Sequence, residues 1–302
     1  MKIHKNLYSL LIIIAGSFWG LTGLFVRWFS AHEISSIQTV IIRSSTTVII
    51  LGVYLLIADR KNLKINIKDI WLFAIMGLCS VTGFNLFYFK SILELQSMSV
   101  ASVLLYTSPV FVTVLAAVFY KEKITVIKCI SVLLTFIGCF LVSGISSSSV
   151  NFSPIGIIFG IGAGLTYALY SIFGELAIRR KYHPLTIIFY MWLFGFLFTL
   201  PFADTQGLII RVQNNFSELG LYFLFGLVSA VLPYILYTLG LQHVPVSIAS
   251  ILATTEPCVA SIIGVIFFSE PMTVSLLLGA IAIISSVLLI NFSKNVSANN
   301  KI

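Results

Sequence analysis

Charge is what this sequence has least of. Asp, Glu, Lys and Arg together make up 9% of its 302 residues while 59% are hydrophobic, whereas soluble domains carry about 25% charged residues. A soluble fold of this composition would leave large apolar areas facing water, so that class is excluded. Long polar segments are also missing. The longest connections between apolar runs, Ala58 to Asp69 and Ala203 to Ser217, are too short to hold a core of their own. The alternating pattern of barrel strands is absent, because the apolar runs are unbroken. Cys79, Cys129, Cys139 and Cys258 lie inside these runs with no CxxC spacing, which leaves metal and redox roles without support and makes packing their expected job. There is no HExxH, GxSxG or Walker sequence, so hydrolytic chemistry and direct use of ATP lack their usual residues. No cofactor and no metal are expected.

What is present is hydrocarbon of repeated length. A helix rises about 1.5 Å per residue and the bilayer core is about 30 Å thick, so roughly 20 apolar residues make one crossing. Ten stretches meet this length, at about 7–29, 34–57, 70–92, 98–119, 126–145, 155–177, 184–202, 218–241, 246–268 and 273–292. The fold class predicted is an all-α integral membrane protein with ten transmembrane helices, and the lipid bilayer is its first partner.

A net charge of +8 could suggest nucleic acid, but the basic residues stand between helices and gather on one side. With the N-terminus inside, that side receives Lys2, Lys5, Arg60, Lys61, Lys64, Lys68, Lys121, Lys123, Lys128, Arg179, Arg180, Lys181, Lys294 and Lys301. Arg27, Lys90 and Arg211 fall near the other face and Arg43 within a helix. The positive-inside rule then predicts a cell-membrane protein with both termini cytoplasmic, the Arg60 to Lys68 loop inside and the Ser146 to Ser149 loop outside. No nucleic-acid partner is expected. Lys2 and Lys5 before an apolar run, with Ala15-Gly16-Ser17 after it, resemble a signal peptide, but the run continues to Phe29, past any cleavage site.

The sequence repeats itself at an offset of 148 residues. Ser99 to Pro109 (SVASVLLYTSP) lies over Ser247 to Pro257 (SIASILATTEP), and the register continues through Phe119 with Phe267, Glu122 with Glu270 and Thr125 with Thr273. Residues 1–148 and 149–302 are therefore predicted to be two five-helix repeats. Five is odd, so the second repeat enters the membrane from the opposite side and the pair is inverted. Inverted repeats commonly build transporters with a site near the midplane and two conformations, each open to one side.

The paired segments ASVLLYTSPVFVTVLAAVFYKEKIT (Ala101 to Thr125) and ASILATTEPCVASIIGVIFFSEPMT (Ala249 to Thr273), with Trp19-Gly20 and Arg43, resemble the EamA-type drug/metabolite transporters over nearly the whole chain. The resemblance implies two inverted halves around a central cavity formed mainly by helices 1, 3, 4, 6, 8 and 9. It also implies transport, often outward, of amino acids, amines, nucleosides, other small metabolites or drugs.

Candidate site residues follow the inward faces. Trp19 and Thr22, Thr82, Asn85 and Tyr88, Tyr106, Tyr167 and Tyr170, and Tyr234 and Tyr237 step along them. Rings with a few hydroxyl or amide groups suit a small amphipathic or cationic molecule. Thr254 joins this set. Pro109 and Pro257 stand at equivalent mid-membrane positions, where each would free the carbonyl four residues earlier, at Leu105 and Ala253. They are read as hinges or as static kinks. Gly16 and Gly20, and Gly156, Gly160 and Gly164, are read as packing positions. Two ionisable residues lie deep in the membrane. Arg43 shares a stripe with Thr39, Thr46 and Thr47, predicted to face inward, and Glu256 is expected between helices near the cavity. Glu256 either binds a cationic substrate group or a coupling proton, or makes a fixed interhelical hydrogen bond; whether it pairs with Arg43 stays open.

The function expected is secondary transport of a small organic metabolite such as an amino acid, amine or nucleoside by alternating access, in the export direction, with a coupling proton or an exchanged substrate. A membrane-embedded enzyme is the alternative, although it would need clustered acids or histidines and the ten acids here are scattered. An accessory subunit is another. Oligomeric state is not legible.

Overall fold

A computed structural model describes residues 2–143 and 153–299, in which all regular structure is helical and no strand occurs. The expected outer loop Ser146 to Ser149 lies outside the described residues. Among those described, nine helical spans are long and apolar enough to cross a membrane: Leu7–Ala31, Ser36–Ala58, Ile67–Leu95, Met98–Tyr120, Pro154–Arg179, Pro184–Phe202, Phe216–Leu241, Val246–Phe268 and Val274–Asn291. The remaining apolar stretch gives a shorter helix, Val126–Val142, which was expected to run to residue 145, beyond the last residue described before the gap.

Several spans are broken rather than continuous. The first comprises α1 (Lys2–Gly20) and α2 (Thr22–Ala31), followed by α3 (Ser36–Ala58). The third comprises α4 (Ile70–Met76), a π-helical stretch (Gly77–Gly83) and α5 (Phe84–Leu95). The fourth is α6 (Met98–Leu105) and α7 (Ser108–Tyr120), with α8 (Val126–Val142) after it. Then come α9 (Pro154–Arg179), α10 (Pro184–Thr199) and, within the connection Ala203 to Ser217, α11 (Thr205–Asn214). The span Phe216–Leu241 comprises α12 (Leu219–Gly226), a second π-helical stretch (Leu227–Val231) and α13 (Leu232–Leu241). The chain ends in α14 (Val246–Leu252), α15 (Thr255–Phe268) and α16 (Val274–Asn299).

Local sequence sets the ends. Ser35 and Gln38 form a reciprocal capping box at the start of α3, while Ser97, Thr125, Ser153 and Asp204 cap α6, α8, α9 and α11. Each cap satisfies amides that a helix start leaves without partners.

The 148-residue offset recurs in the backbone. Glu33 and Lys181 are both left-handed, at φ 61° and 63°, as are Lys121 and Ser269, at 55° and 54°. The latter two end α7 and α15 with the same closure: the Glu122 amide donates to the Ala116 carbonyl and the Glu270 amide to the Gly264 carbonyl, both at 3.2 Å. Each bond reaches back six residues, across the left-handed residue that ends the helix. The π-helical stretches overlap at this offset, and the breaks before Ser108 and Thr255 fall within one residue of it. Packing follows it too: α5 lies on α9 as α13 lies on α1, α3 crosses α10, and α8 runs along α16. At that last contact a Cβ on Gly138 would sit 2.8 Å from the Gly279 carbonyl, and one on Gly279 would sit 2.7 Å from the Gly138 carbonyl. Such an approach between backbones is available only to small residues.

Candidate functional site

The two broken spans meet at the centre. Pro109 and Pro257 lie in the first turns of α7 and α15 rather than inside continuous kinked helices, as the sequence suggested. The physical reason is that a first-turn residue has no intrahelical acceptor for its N–H, so proline costs little there and its φ suits the helix. One carbonyl expected to be freed, that of Ala253, accepts the Glu256 amide at 3.2 Å. The breaks are held by glycines of the opposite half. A Cβ on Gly16 of α1 would lie 2.6 Å from the Ala253 carbonyl, and one on Gly164 of α9 would lie 3.1 Å from the carbonyls of Leu104 and Leu105. Gly16 and Gly164 are themselves 148 residues apart.

Between these breaks is a cavity lined by Trp19, Tyr106, Ser108, Val112, Tyr167, Tyr170, Ser171, Tyr237, Ser250, Ala253, Thr254 and Glu256, with about 380 Å³ of empty space including its open mouth. Glu256 is the one acid in this lining and no basic residue shares it. Its Oε2 is 3.5 Å from the Tyr167 hydroxyl, a long contact that leaves the carboxylate free for another donor.

The rings form a rigid wall. Trp19 meets Tyr234 at 5.3 Å, Tyr237 at 5.5 Å and Tyr167 at 6.3 Å between centroids. Tyr170 meets Tyr234 at 4.8 Å. Edge-on and tilted pairs at such distances are favourable. Two phenols are anchored: Tyr170 shares a hydrogen bond with Thr238 at 2.7 Å and Tyr237 with Ser171 at 2.7 Å. The wall is therefore tied to α9 and α13 on its buried side and offers ring surface to the cavity.

Of the residues picked from the sequence, Trp19, Tyr106, Tyr167, Tyr170, Tyr237, Thr254 and Glu256 meet at this lining. Tyr234 lies behind it, between Tyr170 and Trp192. The third span, expected around the cavity, contributes no lining residue. Asn85 donates to the Val81 carbonyl at 2.7 Å, Tyr88 stacks on Phe84, and Thr82 bonds Thr199 and the Gly195 carbonyl of α10. Ser108, Val112, Ser171, Ser250 and Ala253 were not anticipated. Ser108 had a signal, since the repeat places it opposite Glu256. On one unbroken helix Ser250 and Thr254 would face a different side from Glu256; the break before Thr255 reorients the chain and brings all three to one space.

Arg43 does not pair with Glu256. Its guanidinium donates to the Ser229 carbonyl and lies over the Trp192 ring at 5.1 Å and the Tyr234 ring at 5.9 Å, while Nε has no partner. Thr39, Thr46 and Thr47 are buried beside it, as the polar stripe predicts. Arg43 thus braces the back of the aromatic wall through cation–π contact.

Comparison with known proteins adds the family. The EamA-like transporter family matches residues 6–144 and again 154–292. An uncharacterized transporter of Archaeoglobus fulgidus is 31% identical over 215 residues, 71% of this chain and 75% of its own length. The uncharacterized transporter YwfM of Bacillus subtilis is 25% identical over 289 residues, 95% of this chain and 94% of its own. A solved crystal structure aligns with a TM-score of 0.75 over 93% of this chain and 95% of its own at 14% identity, a likeness of fold alone. With its apolar helical spans and a double match to one transporter family, this multi-pass membrane protein belongs to the EamA-like transporter family.

Proposed function

We propose that this chain is a secondary transporter, not an enzyme, that carries a small organic solute bearing a positively charged nitrogen. Its other features are ten transmembrane helices in two inverted halves, 1–148 and 149–302, alternating access, residence in the cell membrane with both termini cytoplasmic, and outward transport. The observation that carries the reading is Glu256, a single carboxylate in a cavity walled by Trp19, Tyr106, Tyr167, Tyr170 and Tyr237. A carboxylate neutralises an ammonium group and ring faces attract the same charge. Among amino acids, amines and nucleosides, this favours substrates with a protonated amine. A proton or a second substrate molecule occupies Glu256 on the return step, which couples the two fluxes.

Support for the inverted halves is the recurrence of breaks, π-helical stretches and left-handed caps at one offset, together with the double family match. Reconstitution into liposomes and counterflow with labelled amines, amino acids and nucleosides tests the reading. Amines are expected to exchange; exchange of anionic metabolites alone would refute it. Orientation is tested separately with a membrane-impermeant thiol reagent on intact cells. A cysteine at Ser148 is expected to react and one at Lys64 only after the cells are opened; the reverse would overturn the assignment.

A further inference from the structure

Glu122 and Glu270 occupy equivalent repeat positions and have the same backbone, yet they are bound differently. Glu122 accepts hydrogen bonds from the Val246 amide at 2.9 Å and from the Ser247 hydroxyl, both at the start of α14 in the other half. Lys128 of its own half holds the same carboxylate at 2.9 Å. The equivalent residues for Glu270 are Met98 and Ser99, at the start of α6, and it touches neither; it is paired with Arg27 instead. Burial follows the same division. Val246 and Ser247 are 1% and 0% exposed, whereas Met98 is 62% exposed and Ser99 is half-buried. α14 packs on α7 and α8, so at one end of the bundle a carboxylate joins the two halves and at the equivalent end it does not.

We propose that Glu122 and Glu270 are alternating latches: Glu122 closes one end of the cavity in the conformation described here, and in the opposite conformation Glu270 closes the other by accepting from Ser99 and the Met98 amide. The proposal rests on the alternating-access reading and names the residues that carry it.

The sequence differences between the halves fit two latches of unlike build. Pro245 precedes α14 and supplies no side-chain cap, so the Val246 amide depends on Glu122. Ser97, its equivalent, caps α6 by accepting from the Val100 amide at 3.3 Å, so α6 tolerates the unlatched state. Lys128 belongs to the same half as Glu122 and moves with it, which leaves no isolated buried carboxylate when this latch opens. At the equivalent of Lys128 stands Leu276, so Glu270 has no such companion. Arg27, about half exposed like Glu270 itself, holds it while unlatched, in a solvated pair that is readily exchanged.

Distances between spin labels on the full-length protein in liposomes, in a cysteine-free background with the melting temperature of the parent, test this without knowledge of the substrate. Labels at the exposed positions Lys123 and Gln242 report the Glu122 end, and labels at Pro271 and Gln96 report the other. Charge-assisted hydrogen bonds are the stronger kind. Glu122→Gln is therefore expected to raise the population with a long Lys123–Gln242 distance and a short Pro271–Gln96 distance about tenfold. Ser247→Ala, a milder change that keeps the Lys128 pair, should move both distances in the same directions. Glu270→Gln should deplete that population. Unchanged distributions in Glu122→Gln and Ser247→Ala, lengthening at both ends together, or the same shift from Glu122→Gln and Glu270→Gln would each overturn the latches. Because the labels report conformation, failure of the amine assay leaves this result independent.

Discussion

Replacing Glu256 by Gln keeps the shape of the side chain and removes the charge, and the structure sets opposite expectations for binding and for stability. Two unit charges 4 Å apart attract by about 4 kcal/mol at an effective dielectric of about 20. Glu256 is not fully enclosed, so solvent screening brings the expected loss for an ammonium ligand nearer to 2 kcal/mol, or roughly 30-fold in affinity. Stability should move little or rise. The carboxylate has a 3.5 Å contact with Tyr167 and no ion pair with Arg43, so the variant loses less than about 1 kcal/mol of hydrogen bonding and is relieved of desolvating an unpaired charge. The assay is amine uptake and KM in proteoliposomes beside the melting temperature of the purified protein. A packing role predicts the reverse pattern, a lower melting temperature with KM unchanged. An unchanged KM for a cationic amine in a folded Glu256→Gln protein refutes the charge-recognition argument.

Other expectations follow from particular contacts. Gly16→Ala puts a methyl group 2.6 Å from the Ala253 carbonyl; overpacking of this kind costs about 1–3 kcal/mol, which thermal unfolding would register, whereas Gly23→Ala, with open space around it, should leave the melting temperature unchanged. Tyr170→Phe removes the bond to Thr238 and is expected to destabilise by about 1 kcal/mol without abolishing uptake, since the ring face remains. On the loop side, Tyr182 donates to Asp69 at 2.7 Å and accepts the Asn66 amide at 3.1 Å; burial first, then the Asp69 carboxylate, holds its phenol above its ordinary range. The folded state therefore keeps this proton longer than the unfolded chain does. The resulting stabilisation is fully present below the unfolded phenol pKa, about 10, and is lost as pH rises through the folded value. Melting temperatures measured from pH 8 to 11 should show a smaller alkaline decline in Tyr182→Phe than in the parent, and identical slopes would count against the linkage.

The membrane class, the positions of the spans and the repeat offset were legible in the sequence, because each depends on local quantities: apolar run length against bilayer thickness and identity at a fixed spacing. The polar stripe at Arg43 was legible for the same reason, since a helix places its residues by period alone. Tertiary structure decided the rest. Pro109 and Pro257 signalled a disturbance, but only the docking of Gly16 and Gly164 against the opposite half determines that the spans break there instead of bending. Once broken, Ser250, Thr254 and Glu256 no longer obey one helical period, so their convergence on a single cavity could not be read from spacing. Asn85 and Tyr88 have the same residue types as true lining positions, and only the packing of α5 against α9 separates them from it. The unequal environments of Glu122 and Glu270, alike in sequence and backbone, are likewise set by which conformation the two halves adopt. Hydrogen bonds across an interface belong to the arrangement of the interface, and no local pattern carries that information.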